Sequence, residues 1–173
     1  MNRVFILFGS NIDKERNLPA AVRLLAAHCK IISLSPVYES VPVGLLEQPN
    51  FLNAAALIET ALDATTLKSS VLAGIERQLK RQRISDPNAP RTIDADIVLF
   101  NDEVFDYDGR HVPDPDLLKF PHVAVPVADL APDLPHPETG EPMGRIAEWL
   151  MRKVTAENGG RAPLWVRDDI RIL

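Results

Sequence analysis

A single cysteine in 173 residues leaves Cys29 without a partner for an internal disulfide and the chain without a thiol cluster for metal. Cys29 falls late in an apolar helical pattern, where a thiol serves as a small buried hydrophobe. No uninterrupted apolar run approaches the roughly 20 residues of a membrane span. The opening stretch MNRVFILFGS also lacks the longer apolar region and small-residue cleavage site of a secretory signal. These absences predict a cytoplasmic protein with no membrane partner. The formal net charge of -5 argues against nucleic acid as a partner, because non-specific affinity for it comes from many cationic contacts to phosphate. Neither G-x-x-x-x-G-K-[ST] nor G-x-G-x-x-G occurs, so any nucleotide is bound without those glycine cradles.

What is present suits one domain over residues 1–173. NRVFILF reads as a buried strand ending in the turn Gly9-Ser10-Asn11. Leu18, Ala21, Val22 and Leu25 mark an amphipathic helix from about Glu15 to His28. KIISLSPVYES reads as a second strand, residues 41–49 as a loop, and FLNAAALIET as a third strand. Leu67, Val71, Leu72, Ile75 and Leu79 predict a second helix, capped near Asp63 or Thr65. SDPNAP breaks it, and TIDADIVLF supplies a fourth strand. The order β-α-β-β-α-β predicts an α+β, ferredoxin-like arrangement, with both helices on one face of an antiparallel sheet. Beyond Phe100, where most of the prolines lie, NDEVFDYDG reads as a short strand and turn. HVAVPVADLAP reads as a short helix, and a longer helix starts at Gly144. Residues 156–173 read as an edge strand or a docked tail.

The fourth strand carries two acids in an otherwise apolar run. Strict alternation puts Ile93, Ala95, Ile97 and Leu99 on one face and Asp94, Asp96, Val98 and Phe100 on the other. Residues two apart lie roughly 6.5 to 7 Å apart along a strand, which lets two carboxylates converge on one ion or on an adjacent pair. Half-buried like charges bind protons or recruit a cation, and magnesium accepts few protein carboxylates, completing its shell with water and phosphate. The other reading is a pair at an exposed strand end, or one neutralised by nearby arginines. Arg77, Lys80, Arg81, Arg83 and Arg91 fall within fifteen residues of chain, a charge pattern suited to a small phosphorylated ligand or to a solvated helix face.

The second constellation is VPVGLLEQPNFLNA. Phe51 and Asn53, two apart, share a strand face, where a ring can stack on a heterocycle and an amide can donate to and accept from its rim. Taken singly, each fits a core or strand-end role.

In this order and spacing FGSN, SPVYESVPVG, QPNFLNAA, IERQLKRQR and PRTIDADIVLF resemble 6-hydroxymethyl-7,8-dihydropterin pyrophosphokinases, over residues 3 to 135. The resemblance implies magnesium-dependent transfer of a pyrophosphoryl group from ATP to the hydroxymethyl oxygen of a reduced pterin in folate synthesis, releasing AMP. It implies that Asp94 and Asp96 hold two magnesium ions around the ATP phosphates, and Asp96 is the candidate for polarising the hydroxyl. It places Phe51, Asn53 and the backbone of Pro42, Val43 and Gly44 against the pterin, with His122 a second stacking ring. Arg81, Arg83 and Arg91 match positions near the phosphates, Glu76 an acid of the nucleotide site, and Ile97 and His111 the adenine side. A monomer or small homo-oligomer is expected.

This chain departs from the family at three places. Asp114 stands where a histidine is common. Phe120, Pro121 and His122 stand where arginine, glycine and an aromatic are common, and ISDPNAP lacks the usual arginine and tryptophan. The departures keep two alternatives open: a kinase for a different pterin, and a non-catalytic pterin- or nucleotide-binding relative.

Overall fold

In the computed structural model, which describes residues 1–173, β1 (Asn2–Ser10) runs through the middle of the molecule. Val4, Ile6 and Phe8 send their side chains into one core and Phe5 into another, so β1 is apolar on both faces because both faces are covered. It pairs antiparallel with β4 (Phe51–Thr60) on one side and β5 (Asp94–Phe100) on the other. The alanines of β4 suit this setting. Ala54 and Ala56 lie in the first core and Ala55 in the second, and their small size lets layers approach closely from both sides.

The expected second strand is divided into β2 (Lys30–Leu34) and β3 (Tyr38–Ser40), both paired with β4. Pro36 has no N–H for the ladder. Ser35 carries the sheet across the break, its amide donating to Ala55 O at 2.9 Å and its Oγ accepting from Ala55 N at 2.9 Å. β8 (Leu164–Val166) then adds antiparallel to β3, making the tail an edge strand. Arg167 just beyond it reaches Glu39 Oε2 at 2.5 Å, and Lys14 holds Glu39 Oε1 at 3.1 Å. The order across the sheet is β5-β1-β4-β3-β8, with β2 also on β4.

One core face is covered by α1 (Lys14–Ala26), which buries Leu18, Ala21, Val22 and Leu25, and by a second helical rod. This rod is not uniformly α-helical. It begins as α2 (Ala64–Thr66), widens into a π segment (Leu67–Leu72) and continues as α3 (Ala73–Gln78). Asp63 is its cap, accepting from Thr66 N at 2.7 Å. These elements form the ferredoxin-like βαββαβ core. The C-terminal extension covers the opposite face with α4 (Pro121–Leu130) and α5 (Met143–Glu157), packed on Phe5, Ala55, Leu57 and Leu99. A hairpin of β6 (Phe105–Tyr107) and β7 (Arg110–Val112) follows β5. No helix is long and apolar enough to cross a membrane.

Strict alternation fails in β5. Phe5 faces Leu99 while the next residue, Ile6, faces Ile97, so Val98 is an extra residue in the ladder. This bulge reverses the last two positions: Phe100 joins Ile93, Ala95 and Ile97 in the helix-side core, and Leu99 joins Val98 on the other. The acids precede the bulge and keep their common face.

Candidate active site

The registers place three site residues in one row across the sheet. Asp94 of β5 lies opposite Gly9 of β1, which lies opposite Asn53 of β4. Gly9 carries no side chain to fill the space between the carboxylate and the amide. One step along, Asp96 faces Leu7.

Four cations surround the acids. Asp94 Oδ1 forms an ion pair with Arg81 Nη1 at 3.2 Å and its Oδ2 accepts from Arg91 Nη1 at 3.1 Å, while Asp96 Oδ1 accepts from Lys68 Nζ at 2.8 Å and Arg110 Nη1 at 3.2 Å. Burial alone would raise both carboxyls. For Asp94 the guanidinium groups of Arg81 and Arg91 reverse that effect and hold it below the ordinary range. For Asp96 burial and the neighbouring Asp94 charge prevail over Lys68 and Arg110, and the carboxyl is pushed up.

Two cavities meet at this pair. The first is lined by Val43, Phe51, Asn53, Phe120 and His122 among others; the second by Arg81, Arg83, Arg110 and the loop from Ile84 to Pro90. Pro87, Arg91, Asp94 and Asp96 line both. Arg91 forms the seam: its guanidinium lies 5.6 Å from the Phe51 ring centroid, it bonds Asp94, and its Nε donates to Ala89 O at 3.2 Å.

The first cavity is a slot with flat groups and a polar edge. Asn53 is buried and donates from Nδ2 to Ser40 Oγ at 2.7 Å, which fixes the plane of its amide. Phe120 and His122 stack on each other with centroids 5.3 Å apart and 28° between planes. Burial pushes the His122 imidazole down to about 4, leaving it neutral at pH 7. Tyr38 ties this wall to the sheet by donating to Asp129 of α4.

Loop 41–49 borders the slot through Val41 and Val43. Pro42 is buried beneath it, and Gly44 turns with φ 80°. A Cβ on Gly44 would stand 2.5 Å from Asn88 Nδ2, so the two loops meet where only glycine leaves room. Gln48 Nε2 donates to Asn88 O at 2.7 Å and Asn11 Nδ2 to Gln48 Oε1 at 2.8 Å, fastening the loops together.

Three residues expected at the nucleotide line neither cavity. Ile97 is enclosed in the helix-side core. His111 projects from the hairpin into a clasp of Asp106 Oδ1 at 2.6 Å and Glu138 Oε1 at 3.0 Å. Glu76 is buried behind β5, accepting from Ala95 N at 3.1 Å and Arg83 Nη2 at 2.6 Å, so it supports the site without lining either cavity. Conversely, Lys68, Arg110 and Asp116 take part without having been singled out. Lys68 lies three, four and seven residues before Val71, Leu72 and Ile75, so the helix period itself puts it on their buried face. The run Leu67, Val71, Ile75, Leu79, spaced by four throughout, exceeds the 3.6 of an α-helix and is the trace of the π turn in the sequence.

Asp114 borders the slot and caps the 3-10 turn Pro115–Leu118, accepting from Asp116 N at 2.9 Å. Burial pushes its carboxyl up to about 6; the Asp116 amide opposes this and the charges of Asp116 and Asp96 add to it. The folded chain therefore keeps this proton to higher pH than the unfolded chain does. The stability it contributes is fully present below about pH 4 and is lost as pH rises through about 6. Asp114→Asn, which retains the Oδ1 acceptor, is expected to be more stable than the parent by about 1 to 2 kcal/mol at pH 7.5 and equal to it near pH 4. Urea titrations at the two pH values measure this, and an equal difference at both would contradict it.

No group of three or more His, Cys, Asp or Glu side chains is arranged to hold a metal ion by itself. Two hard carboxylates beside an arginine-lined cavity leave the other positions to water and phosphate.

The sequence profile of 7,8-dihydro-6-hydroxymethylpterin-pyrophosphokinase matches residues 5–132. The 2-amino-4-hydroxy-6-hydroxymethyldihydropteridine pyrophosphokinase of Pseudomonas aeruginosa is 34% identical over 144 residues, covering 80% of this chain and 86% of that protein. Its counterpart in Bacillus subtilis is 38% identical over 132 residues, covering 75% and 78%. The folic acid synthesis protein fol1 of Schizosaccharomyces pombe is 34% identical over 149 residues, covering 84% of this chain but only 20% of that protein. Wild-type HPPK-DHPS of Plasmodium falciparum, solved with SDX-DHP, superposes with TM-score 0.73 at 13% identity over 96% of this chain and 47% of that one, a likeness of fold. With the profile spanning β1 through α4 and relatives matched along most of their own length, the chain belongs to the 7,8-dihydro-6-hydroxymethylpterin-pyrophosphokinase family.

Proposed function

We propose that this enzyme transfers the pyrophosphoryl group of ATP to the hydroxymethyl oxygen of 6-hydroxymethyl-7,8-dihydropterin, with magnesium, in folate biosynthesis. The observation that carries the reading is the junction of the two cavities: a slot with rings and an amide edge opens into an arginine-lined cleft, and Asp94, Asp96 and Arg91 line both. In the reaction the hydroxymethyl oxygen bonds to the β-phosphorus. The bond from that phosphorus to the oxygen bridging the α-phosphorus breaks, its electron pair leaves with AMP, and the hydroxyl proton is given up to water.

Each residue has a defined task. Phe51 and His122 supply flat surfaces for the bicyclic ring, and Asn53, its amide plane set by Ser40, reads the ring's edge. Arg81, Arg83 and Arg91 receive the triphosphate. Asp94 and Asp96 would hold the magnesium, which when bound offsets the charge of the phosphoryl oxygens. Alignment of the hydroxyl with the phosphorus can supply up to about 7 to 11 kcal/mol of the barrier, so a strong protein base is unnecessary. Asp96, at the seam, is placed to polarise the hydroxyl.

The test is AMP release from ATP and magnesium with and without the pterin. Pterin-dependent AMP together with a pyrophosphorylated pterin is expected; pterin binding without AMP would overturn the reading. A second reading, the same transfer to a different hydroxymethyl-pterin, is favoured by Asp114 and Asp116 on the slot's border, where carboxylates add acceptors. Competing pterins in the same assay separate the two.

A further inference from the structure

The π segment carries a buried lysine that reaches the site. A π turn holds one residue more than an α turn, and such bulges gather at functional sites. Lys68 lies in this widened turn and points inward with Val71 and Leu72, where it is 8% exposed. Its ammonium donates to Ala95 O at 2.5 Å and Asp96 Oδ1 at 2.8 Å, and stands 3.6 Å from Glu76 Oε1. Glu76 is itself held by the amide of Ala95 and by Arg83.

The four cations at the acid pair differ in freedom. Arg110, with a side chain 43% exposed, can turn toward phosphate, whereas the Lys68 side chain is 10% exposed and enclosed by the groups it bonds. It is a fixed positive charge on a carboxylate that would also bind a divalent ion. Before nucleotide arrives, Asp94 and Asp96 are outnumbered by Lys68, Arg81, Arg91 and Arg110. A further cation meets repulsion there that the negative phosphates remove.

We propose that Lys68 is a specificity-determining residue: a resident cation, held against Asp96 by its buried contacts, that makes the acid pair disfavour a free divalent ion and accept it together with nucleotide phosphates. This rests on the metal-holding role proposed above for Asp94 and Asp96. A purely structural lysine predicts the opposite sign, since its loss would loosen the carboxylates and weaken every metal complex.

The experiment measures protein-bound manganese by electron paramagnetic resonance, without nucleotide and with α,β-methylene ATP, whose α–β link resists cleavage. Lys68→Met removes the charge at similar volume, and Lys68→Gln retains an N–H donor should the first variant fold poorly. Both are expected to bind free manganese about tenfold or more tightly than the parent, with a smaller change in the nucleotide complex. The parent is expected to bind free manganese more weakly than manganese with the analogue. Unchanged or weaker binding of free manganese in a variant with the parent's melting curve overturns the role of Lys68 alone. Tight binding of free manganese by the parent does the same without any variant. Absence of bound manganese from the parent even with the analogue removes the metal site itself, and this proposal with it.

Discussion

Asp96→Asn is expected to lower pterin-dependent AMP release by at least about 1,000-fold while the protein keeps its fold, because a neutral amide is a poor ligand for a hard cation. The local hydrogen bonds survive the change. An amide oxygen in place of Oδ1 still accepts from Lys68, now at 2.8 Å, and from Arg110 at 3.2 Å. Repulsion from Asp94 disappears, so the melting temperature should be unchanged or higher. Asp94→Asn should reduce turnover comparably but lower stability, since Arg81 is largely buried and its Nε already lacks a hydrogen-bond partner. Turnover within tenfold of the parent for either variant, measured through a magnesium titration, would remove the carboxylates from the metal's coordination.

Arg91→Ala is expected to reduce kcat/KM for ATP and for the pterin alike, each by about 100-fold or more. Most side chains of the site belong to one cavity and should affect one substrate. Arg91 belongs to both: it lies over Phe51, bonds Asp94, and binds the backbone of the loop between the cavities through Ala89. Lysine should not restore the activity, because a single ammonium cannot face a ring and fork to a carboxylate at once. Arg83→Ala, by contrast, removes a side chain 58% exposed in the second cavity alone, and should raise the KM for ATP with little change for the pterin. A loss confined to one substrate in Arg91→Ala would refute its bridging role.

The sequence disclosed those features that depend on short-range periodicity. Asp94 and Asp96 precede the bulge, so alternation placed them together; Leu99 and Phe100 follow it and were assigned to the wrong faces. A bulge depends on how β5 meets β1, which no window of β5 alone contains. Ser35-Pro36 did contain the signal for the division of the second strand, but the apolar residues flanking it masked the interruption. At the site, Phe51 and Asn53 were legible because they are two apart on one strand. Arg110 and Asp116 were not, since the hairpin and the 3-10 turn that bring them to β5 are tertiary placements. Ile97 and His111 came from a family correspondence along the chain. Their side chains face the helix-side core and an acidic clasp respectively, where position alone does not put them on the cavity.

The widened turn also bears on how such a site can change over generations. Loss of the single codon for Lys68 would place Leu67 three and four residues from Val71 and Leu72, an ordinary α-helical spacing. The buried leucines would keep their common face, and the rod could close into a uniform helix between the same ends. One in-frame deletion would therefore remove the resident charge while sparing the hydrophobic layer, and one insertion would restore it. On the role proposed for Lys68, this stretch of helix would give a reversible route between a site with the buried charge and one without it, on an unaltered scaffold.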